Sequence, residues 1–281
     1  MKEDKLLTQE HLKNELLSMQ IKHHLTDNLI NRLHLRLDEV DLCDLRERSL
    51  THIESKLFES LVNLKCIDLS HNNLTNIIQG TFNHLIKLES INLSHNELTE
   101  LSPTIFHGLI QLGALYLNNN KLTFLHCELF HGLSHLETIN LDNNLITNLE
   151  ASLFKCLKCL KFIGLSNNQL VNIDPTVFQG LSNLTTLLLA ANKLTQLKPN
   201  IFFNLKSLRK IDLGSNRLVT LEADTFKELH SLQYICLGNN KLTEFDLDNI
   251  KIGLDKLILI FLKGNQIEST SHIIDSSLCI Y

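Results

Sequence analysis

Histidine recurs in this 281-residue chain at spacings that suggest metal chemistry. His71 and His95 are 24 residues apart, and so are His107 and His131, so each pair would meet if the chain folded with that period. Imidazole nitrogens bind zinc, but two histidines without a third ligand make a weak site. We therefore interpret both pairs as stacked surface side chains and expect no metal site.

The cysteines give no stronger signal for redox or metal chemistry. Cys156 and Cys159 form a C-x-x-C pair, but no second pair accompanies them. A redox C-x-x-C belongs at the start of a helix in a thioredoxin-like unit, which the surrounding sequence does not predict. The chain has seven cysteines, an odd number without a cluster at either end. We interpret them as free thiols, as expected of a cytosolic protein.

The motifs of common catalytic sites are missing from the sequence. It contains no G-x-S-x-G, P-loop, G-x-G-x-x-G or H-E-x-x-H string. Asp44, Asp68 and Asp212 are too dispersed for a convincing acid–base pair. A hydrolase or ligase-type effector would need a catalytic region, and residues 1–39 are too short to hold one. We expect a protein that is not an enzyme and has no cofactor.

The elements that position these residues follow a period of 24 residues. Leucine or isoleucine precedes each of a series of asparagines by five positions, and leucine precedes it by three. These asparagines are Asn72, Asn96, Asn120, Asn144, Asn168, Asn192, Asn216, Asn240 and, after one step of 25, Asn265. Phenylalanine recurs with the same period at 58, 82, 106, 130, 154, 178, 202 and 226. Such a period predicts a solenoid in which each repeat contacts its neighbours.

The repeating unit, L-x-x-L-x-L-x-x-N-x-L-x-x-L-x-x-x-x-F-x-x-L, resembles the leucine-rich repeat in its 24-residue typical form. One copy is complete between Leu64 and Leu85, and ten copies can be set from Val40 onward. The resemblance implies an α/β fold, a right-handed solenoid shaped like a horseshoe with a parallel β-sheet on its concave face. Each L-x-L would be a short strand, and the chain would return over the convex side through turns and short helical pieces.

Residues 1–39 lie outside the repeat pattern, and we predict that they form an N-terminal helical cap on the solenoid of residues 40–281. Two sets of apolar residues each share one helical face: Leu12, Leu16 and Met19, and Leu29, Ile30, Leu33 and Leu37. A cap would cover the open core of the first repeat, as every solenoid requires. The alternative role is a docking or oligomerisation helix.

Charge and hydropathy narrow the choice of partner and compartment. The chain has 26 Lys plus Arg and 31 Asp plus Glu, without the basic excess that a nucleic-acid surface needs. No apolar run is long enough for membrane insertion, and no signal peptide is visible, so we expect a cytoplasmic protein. Three Asn-x-Ser/Thr sequons occur, at Asn73, Asn92 and Asn183. We interpret them as chance products of composition.

The family's scaffold leaves function to the side chains on the concave strands. We predict a non-enzymatic protein–protein interaction module that binds its partner there. The candidate partner-binding residues are Tyr116, Asn140, Phe162, Leu188 and Tyr234, with Asp68 and Lys210 at the rim. The aromatic members have no packing reason to lie there, because the consensus positions already supply the core. The alternative is an extracellular or receptor-fragment recognition domain with N-glycans on the sequons.

Overall fold

A computed structural model of the protein describes residues 41–55, 57–59, 61–222 and 224–267, together with the short strands at 24–25 and 279–280. Eleven of its strands form one parallel sheet in chain order. They are β2 (Leu42–Asp44), β4 (Cys66–Asp68), β5 (Ser90–Asn92), β6 (Ala114–Tyr116), β7 (Thr138–Asn140), β8 (Phe162–Gly164), β9 (Thr186–Leu188), β10 (Lys210–Asp212), β11 (Tyr234–Cys236), β12 (Leu259–Phe261) and β13 (Cys279–Ile280). The remaining two, β1 (His24–Leu25) and β3 (His52–Ile53), pair in parallel with each other.

The register of the large sheet follows directly from the repeat. Residues 24 positions apart face each other on neighbouring strands, as Ile139 and Ile163 do on β7 and β8. The middle residue of each strand from β4 to β12 is buried, because successive side chains of a strand point to opposite faces. The predicted parallel-strand solenoid is thus confirmed, with one three-residue strand in each of its ten repeats.

The asparagine ladder joins neighbouring turns of the chain. Asn144 is buried, and its Nδ2 donates to the carbonyls of Leu117 at 3.0 Å and Leu141 at 3.1 Å. Its Oδ1 accepts from the N–H of Leu122 at 3.1 Å. Each amide therefore pairs backbone groups that a loop of this shape would otherwise bury without partners.

The phenylalanine series fills the half of the core opposite the sheet. All eight rings are at most 1% exposed. Phe154 stacks between Phe130 and Phe178, with ring centroids 5.9 and 6.3 Å away. This confirms that these side chains form a structural spine.

The chain returns between strands mainly through hydrogen-bonded turns. Within the described ranges the α-helix is a single four-residue element, α1 (Leu247–Ile250), in the ninth repeat. Asp246 caps it by accepting from the N–H of Asn249, and the 4% exposed Ile250 takes the place of the spine phenylalanine. In the part of the chain that the structure describes, no helix has the length and apolarity needed to cross a membrane.

The N-terminal helical cap predicted for residues 1–39 lies outside the described residues, except for β1. His24 and Leu25 pair there with β3 of the first repeat. The helical cap therefore stays a prediction.

Candidate binding surface on the sheet face

The sheet presents two columns of side chains to solvent, because in the strands from β4 to β12 the middle residue is buried and its two neighbours, apart from Gly164, are not. We call this exposed side the sheet face, the first residues of the strands the first column, and the third residues the second column. Neighbouring members of a column lie about 4.8 Å apart, the spacing of paired strands. Phe162, Lys210 and Tyr234 belong to the first column, and the other four predicted residues belong to the second.

Four of the predicted residues form a cluster at the middle of the sheet face. Tyr116 pairs with Asn140, and Leu188 follows two strands later in the same column. Phe162 stands beside them in the first column, between Thr138 and Thr186. From Tyr116 to Leu188 the column covers three strand steps, about 14 Å. All four side chains are half-buried, so the sheet holds them while each keeps an exposed surface.

Gly164 and Asp142 complete this central cluster. Gly164 lies between Asn140 and Leu188 in the second column, and a Cβ there would come within 2.7 Å of Asn140 Oδ1 and 2.9 Å of the Asp142 carboxylate. Because Gly164 has no side chain, the Asn140 amide and the Asp142 carboxylate can both lie over the backbone of β8. Only the structure reveals this pair, although a glycine where neighbouring repeats have large residues is a usable sequence signal.

Hydrogen bonds fix the orientation of the polar pair. Asn140 Oδ1 accepts from the N–H of Asp142 at 2.9 Å, and Asp142 Oδ1 accepts from the N–H of Ser166 at 2.6 Å. Burial raises the pKa of Asp142 above its ordinary value, against the opposing effect of the bonds from Ser166. Among the described residues the Asn140 Nδ2 group has no hydrogen-bond partner, so its donors face the open surface.

Asp68 lies in a polar network toward the first repeat. Its Oδ1 accepts from the hydroxyl of Ser70 at 2.6 Å, and its Oδ2 accepts from Asn92 Nδ2 at 3.2 Å. Arg46 Nε approaches the same Oδ2 at 3.7 Å while its guanidinium bonds Asp44 through two nitrogens. The structure places Asp68 two strands from Tyr116, with its charge shared by this network.

Lys210 and Tyr234 lie toward the last repeats. They are paired neighbours in the first column, and Lys210 is two strands from Phe162. Tyr234 is 39% exposed. The seven predicted residues therefore form a central group of four, with Asp68 on one side and the Lys210–Tyr234 pair on the other.

The histidine pair at 71 and 95 forms a stack at the edge of the sheet face. The ring centroids are 4.1 Å apart and the planes differ by 13°, so the two rings are stacked face to face. Asn119 Nδ2 lies 3.1 Å from His95 Nε2. Burial, and then the charge of His71, lower the pKa of His95. This confirms the interpretation of stacked surface side chains.

The other predicted candidates for chemistry lie apart from the sheet face. His107 and His131 are exposed, and His131 Nδ1 lies 3.5 Å from a carboxylate oxygen of Glu128. The six cysteines between residues 41 and 267 are free, with Cys156 exposed and Cys159 half-buried. The central cluster contains neither these two histidines nor Cys156 and Cys159.

A parallel sheet built from one strand per 24 residues, an asparagine ladder and a phenylalanine spine define a repeat solenoid. The chain belongs to the leucine-rich repeat family. Five overlapping segments match the leucine-rich repeat model, at residues 36–98, 73–122, 110–170, 160–218 and 206–267. The family predicted from the sequence is confirmed.

Solved structures with the same fold include chains from two complexes. A chain of the TLR13–ssRNA13 complex is 25% identical with a TM-score of 0.77, and the match covers 93% of this chain and 42% of that one. A chain of the Drosophila Toll–Spatzle complex is 21% identical with a TM-score of 0.65, covering 80% of this chain and 38% of that one. A leucine-rich repeat protein of Leptospira interrogans is 29% identical with a TM-score of 0.61, covering 80% and 61%.

The chain thus spans less than two thirds of the length of each of these structures. No curated protein matches it in sequence. One of these similar structures is a complex with RNA, and another is a complex with a protein. The comparisons therefore do not support our expectation that the partner is not a nucleic acid.

Proposed function

We propose that this protein is a non-enzymatic interaction module that binds a protein partner on its concave sheet face. The observation that carries the proposal is the central cluster, in which Tyr116, Phe162 and Leu188 surround the polar pair of Asn140 and Asp142. The core is already filled by the buried consensus residues, so these three apolar side chains are not required for folding. Aromatic anchors around oriented polar groups are typical of the centre of a protein interface.

The polar pair favours an exposed peptide segment as the part of the partner that is bound. A peptide backbone offers both N–H donors and carbonyl acceptors. Asn140 Nδ2 can donate to a carbonyl of the partner, and the Asp142 carboxylate can accept from an N–H. Asp68 and the Lys210–Tyr234 pair would lie at the rim, where charged groups influence the association rate more than the affinity.

The proposal is tested by comparing the wild-type protein with Phe162→Ala as baits in a crosslinking pull-down. Partners captured by the wild type and lost by the variant are then measured by titration. Tyr116→Ala and Phe162→Ala should each weaken binding by more than about 1 kcal/mol, because interface anchors lose this much on truncation. Folding stability should change little, since neither residue belongs to the core.

His107→Ala and His131→Ala are the matched controls, because both side chains are exposed and lie away from the sheet. They should leave affinity unchanged. A loss of binding in this pair with none in the sheet-face pair would move the site to the opposite side of the solenoid.

A second candidate function is extracellular recognition, which the sequons favour. Asn73 and Asn183 are exposed and accessible to glycosylation, whereas Asn92 lies half-buried in the network of Asp68. We also propose that the protein is cytoplasmic. Glycosidase treatment of the protein from its native cells should then cause no mass shift. A shift abolished by Asn73→Gln and Asn183→Gln would instead support the extracellular function.

A further inference from the structure

Three side chains of metal-binding type meet away from the sheet face, between the fourth and fifth repeats. They are His126, Cys127 and Glu150, and one ligand atom from each lies within 4.8 Å of the other two. His126 and Glu150 hold the same position in successive repeats, at the start of the turn segments that lead to Phe130 and Phe154. All three are half-buried, so they are partly shielded from solvent yet open to an ion.

The distances between these side chains approach those of a metal site. Cys127 Sγ lies 3.9 Å from His126 Nδ1. Tetrahedral zinc with ordinary Zn–S and Zn–N bonds would set these two atoms about 3.6 Å apart. His126 Nδ1 accepts from the N–H of Glu128 at 3.1 Å, and the same lone pair would serve as the metal ligand. An ion bound at Nδ1 would replace that N–H.

The backbone holds Glu150 against its neighbour across the repeat boundary. Glu150 Oε2 accepts from the N–H of Cys127 at 2.5 Å. One carboxylate oxygen thus anchors the side chain, and the carboxylate also bonds the Cys127 thiol and raises its pKa, a contact that a bound ion would replace. Metal ligands are usually oriented by a hydrogen bond of this kind.

A hydrogen-bonded turn without metal explains only part of the cluster. The same position in the sixth repeat holds Asp174, whose carboxylate accepts from the N–H of Thr176 at 2.8 Å. Such a cap accounts for the bond that His126 receives from the N–H of Glu128, but not for the bond that Glu150 receives from the preceding repeat. It gives no reason for a thiol at 3.9 Å from an imidazole nitrogen, with a carboxylate beside both.

We propose that His126, Cys127 and Glu150 bind a zinc-type divalent ion that links the fourth repeat to the fifth. Thiolate and imidazole ligands select zinc and related transition metals over Mg²⁺ and Ca²⁺, which prefer oxygen. Three protein ligands leave one tetrahedral position open, for water or for a side chain of a partner. The ion would fasten two neighbouring turn segments and so stabilise the middle of the array.

Cobalt(II) titration of the full chain, freed of metal by chelation, tests the site, because Co²⁺ takes the same ligands and shows a thiolate charge-transfer absorption. The wild type should bind one equivalent with that absorption, and Zn²⁺ but not Mg²⁺ should displace it. Cys127→Ser should abolish the absorption. His126→Asn and Glu150→Gln should each weaken Co²⁺ binding more than about tenfold, since even outer-shell changes commonly cost 10–100-fold. Cys156→Ser and His131→Asn are matched controls and should bind like the wild type.

Thermal unfolding separates a loss of metal binding from a loss of folding. With chelator present, Glu150→Gln should melt like the wild type, because the amide oxygen still accepts from the Cys127 N–H. Added Zn²⁺ should raise the melting temperature of the wild type and the two controls only. A cobalt absorption that survives Cys127→Ser, one that disappears in Cys156→Ser, or a wild type without the absorption would each overturn the proposal.

Discussion

Single amide groups fasten neighbouring turns of this solenoid, and Asn144 is a well-placed example. Replacing it with alanine would leave the carbonyls of Leu117 and Leu141 and the N–H of Leu122 without their partner. Each unsatisfied buried group costs about 1–3 kcal/mol, so Asn144→Ala should lower the free energy of unfolding by at least about 3 kcal/mol. Urea denaturation measures this loss.

Asn148→Ala is the matched control for that prediction, because Asn148 is an exposed residue of the same repeat. Surface changes of this kind usually stay within about 0.5 kcal/mol. Equal losses in the two variants would mean that the ladder amide contributes no more than an ordinary surface side chain.

At the residue scale the sequence predicts the ladder and the spine, because both repeat at a fixed position of the unit. It also selects Tyr116, Asn140 and Leu188, which the structure places in one column. It misses Asp142 and Gly164, since the approach of those side chains depends on strand geometry. The sequence does not predict the cluster of His126 and Glu150, although the two residues are 24 positions apart. A histidine and a glutamate differ in type, so a set of mixed ligands does not show up as a repeated residue.

At the scale of the elements, the phenylalanine spine distinguishes the middle of the array from its beginning. Phe154 stacks on both sides, and Phe154→Ala should cost about 3–5 kcal/mol through lost transfer energy and the cavity left behind. Phe58 is equally buried, but its described ring partner is Phe82 alone, at 6.1 Å. Phe58→Ala should therefore cost visibly less in chemical denaturation, and equal losses would contradict a stacked spine.

The elements themselves are predictable where the repeat is regular and less so where it changes. Strand positions follow from the burial of the middle residue, and from β4 to β12 each strand begins one residue before the predicted L-x-L, as Cys66–Asp68 does relative to 67–69. In the ninth repeat one residue is inserted, and α1 appears there because Asp246 can cap a helical turn whose Ile250 reaches the core. The insertion of one residue does not predict which backbone conformation the longer repeat adopts, so this helix is found only in the structure.

At the scale of the whole molecule, removing one complete repeat should preserve the fold, because each repeat contacts only its neighbours. Deleting residues 88–111 brings strands β4 and β6 together with ladder and spine in phase. Deleting residues 160–183 does the same for β7 and β9. Both proteins should unfold cooperatively, with a denaturant dependence reduced by about a tenth, in proportion to the surface buried. Deleting residues 88–99, half a period, should prevent folding, because leucine positions would then face solvent.

We expect the deletions of residues 88–111 and 160–183 to have opposite effects on binding affinity. The first leaves the central cluster intact, so it should bind the partner with an affinity close to that of the wild type. The second removes Phe162 and Gly164 and brings Asn140 directly against Leu188, so binding should be lost although the protein is folded. Circular dichroism verifies the fold, and titration with the captured partner measures affinity. If both deletions bind equally well, the partner does not use the centre of the sheet face, whereas loss in both would show that it requires the uninterrupted length of the solenoid.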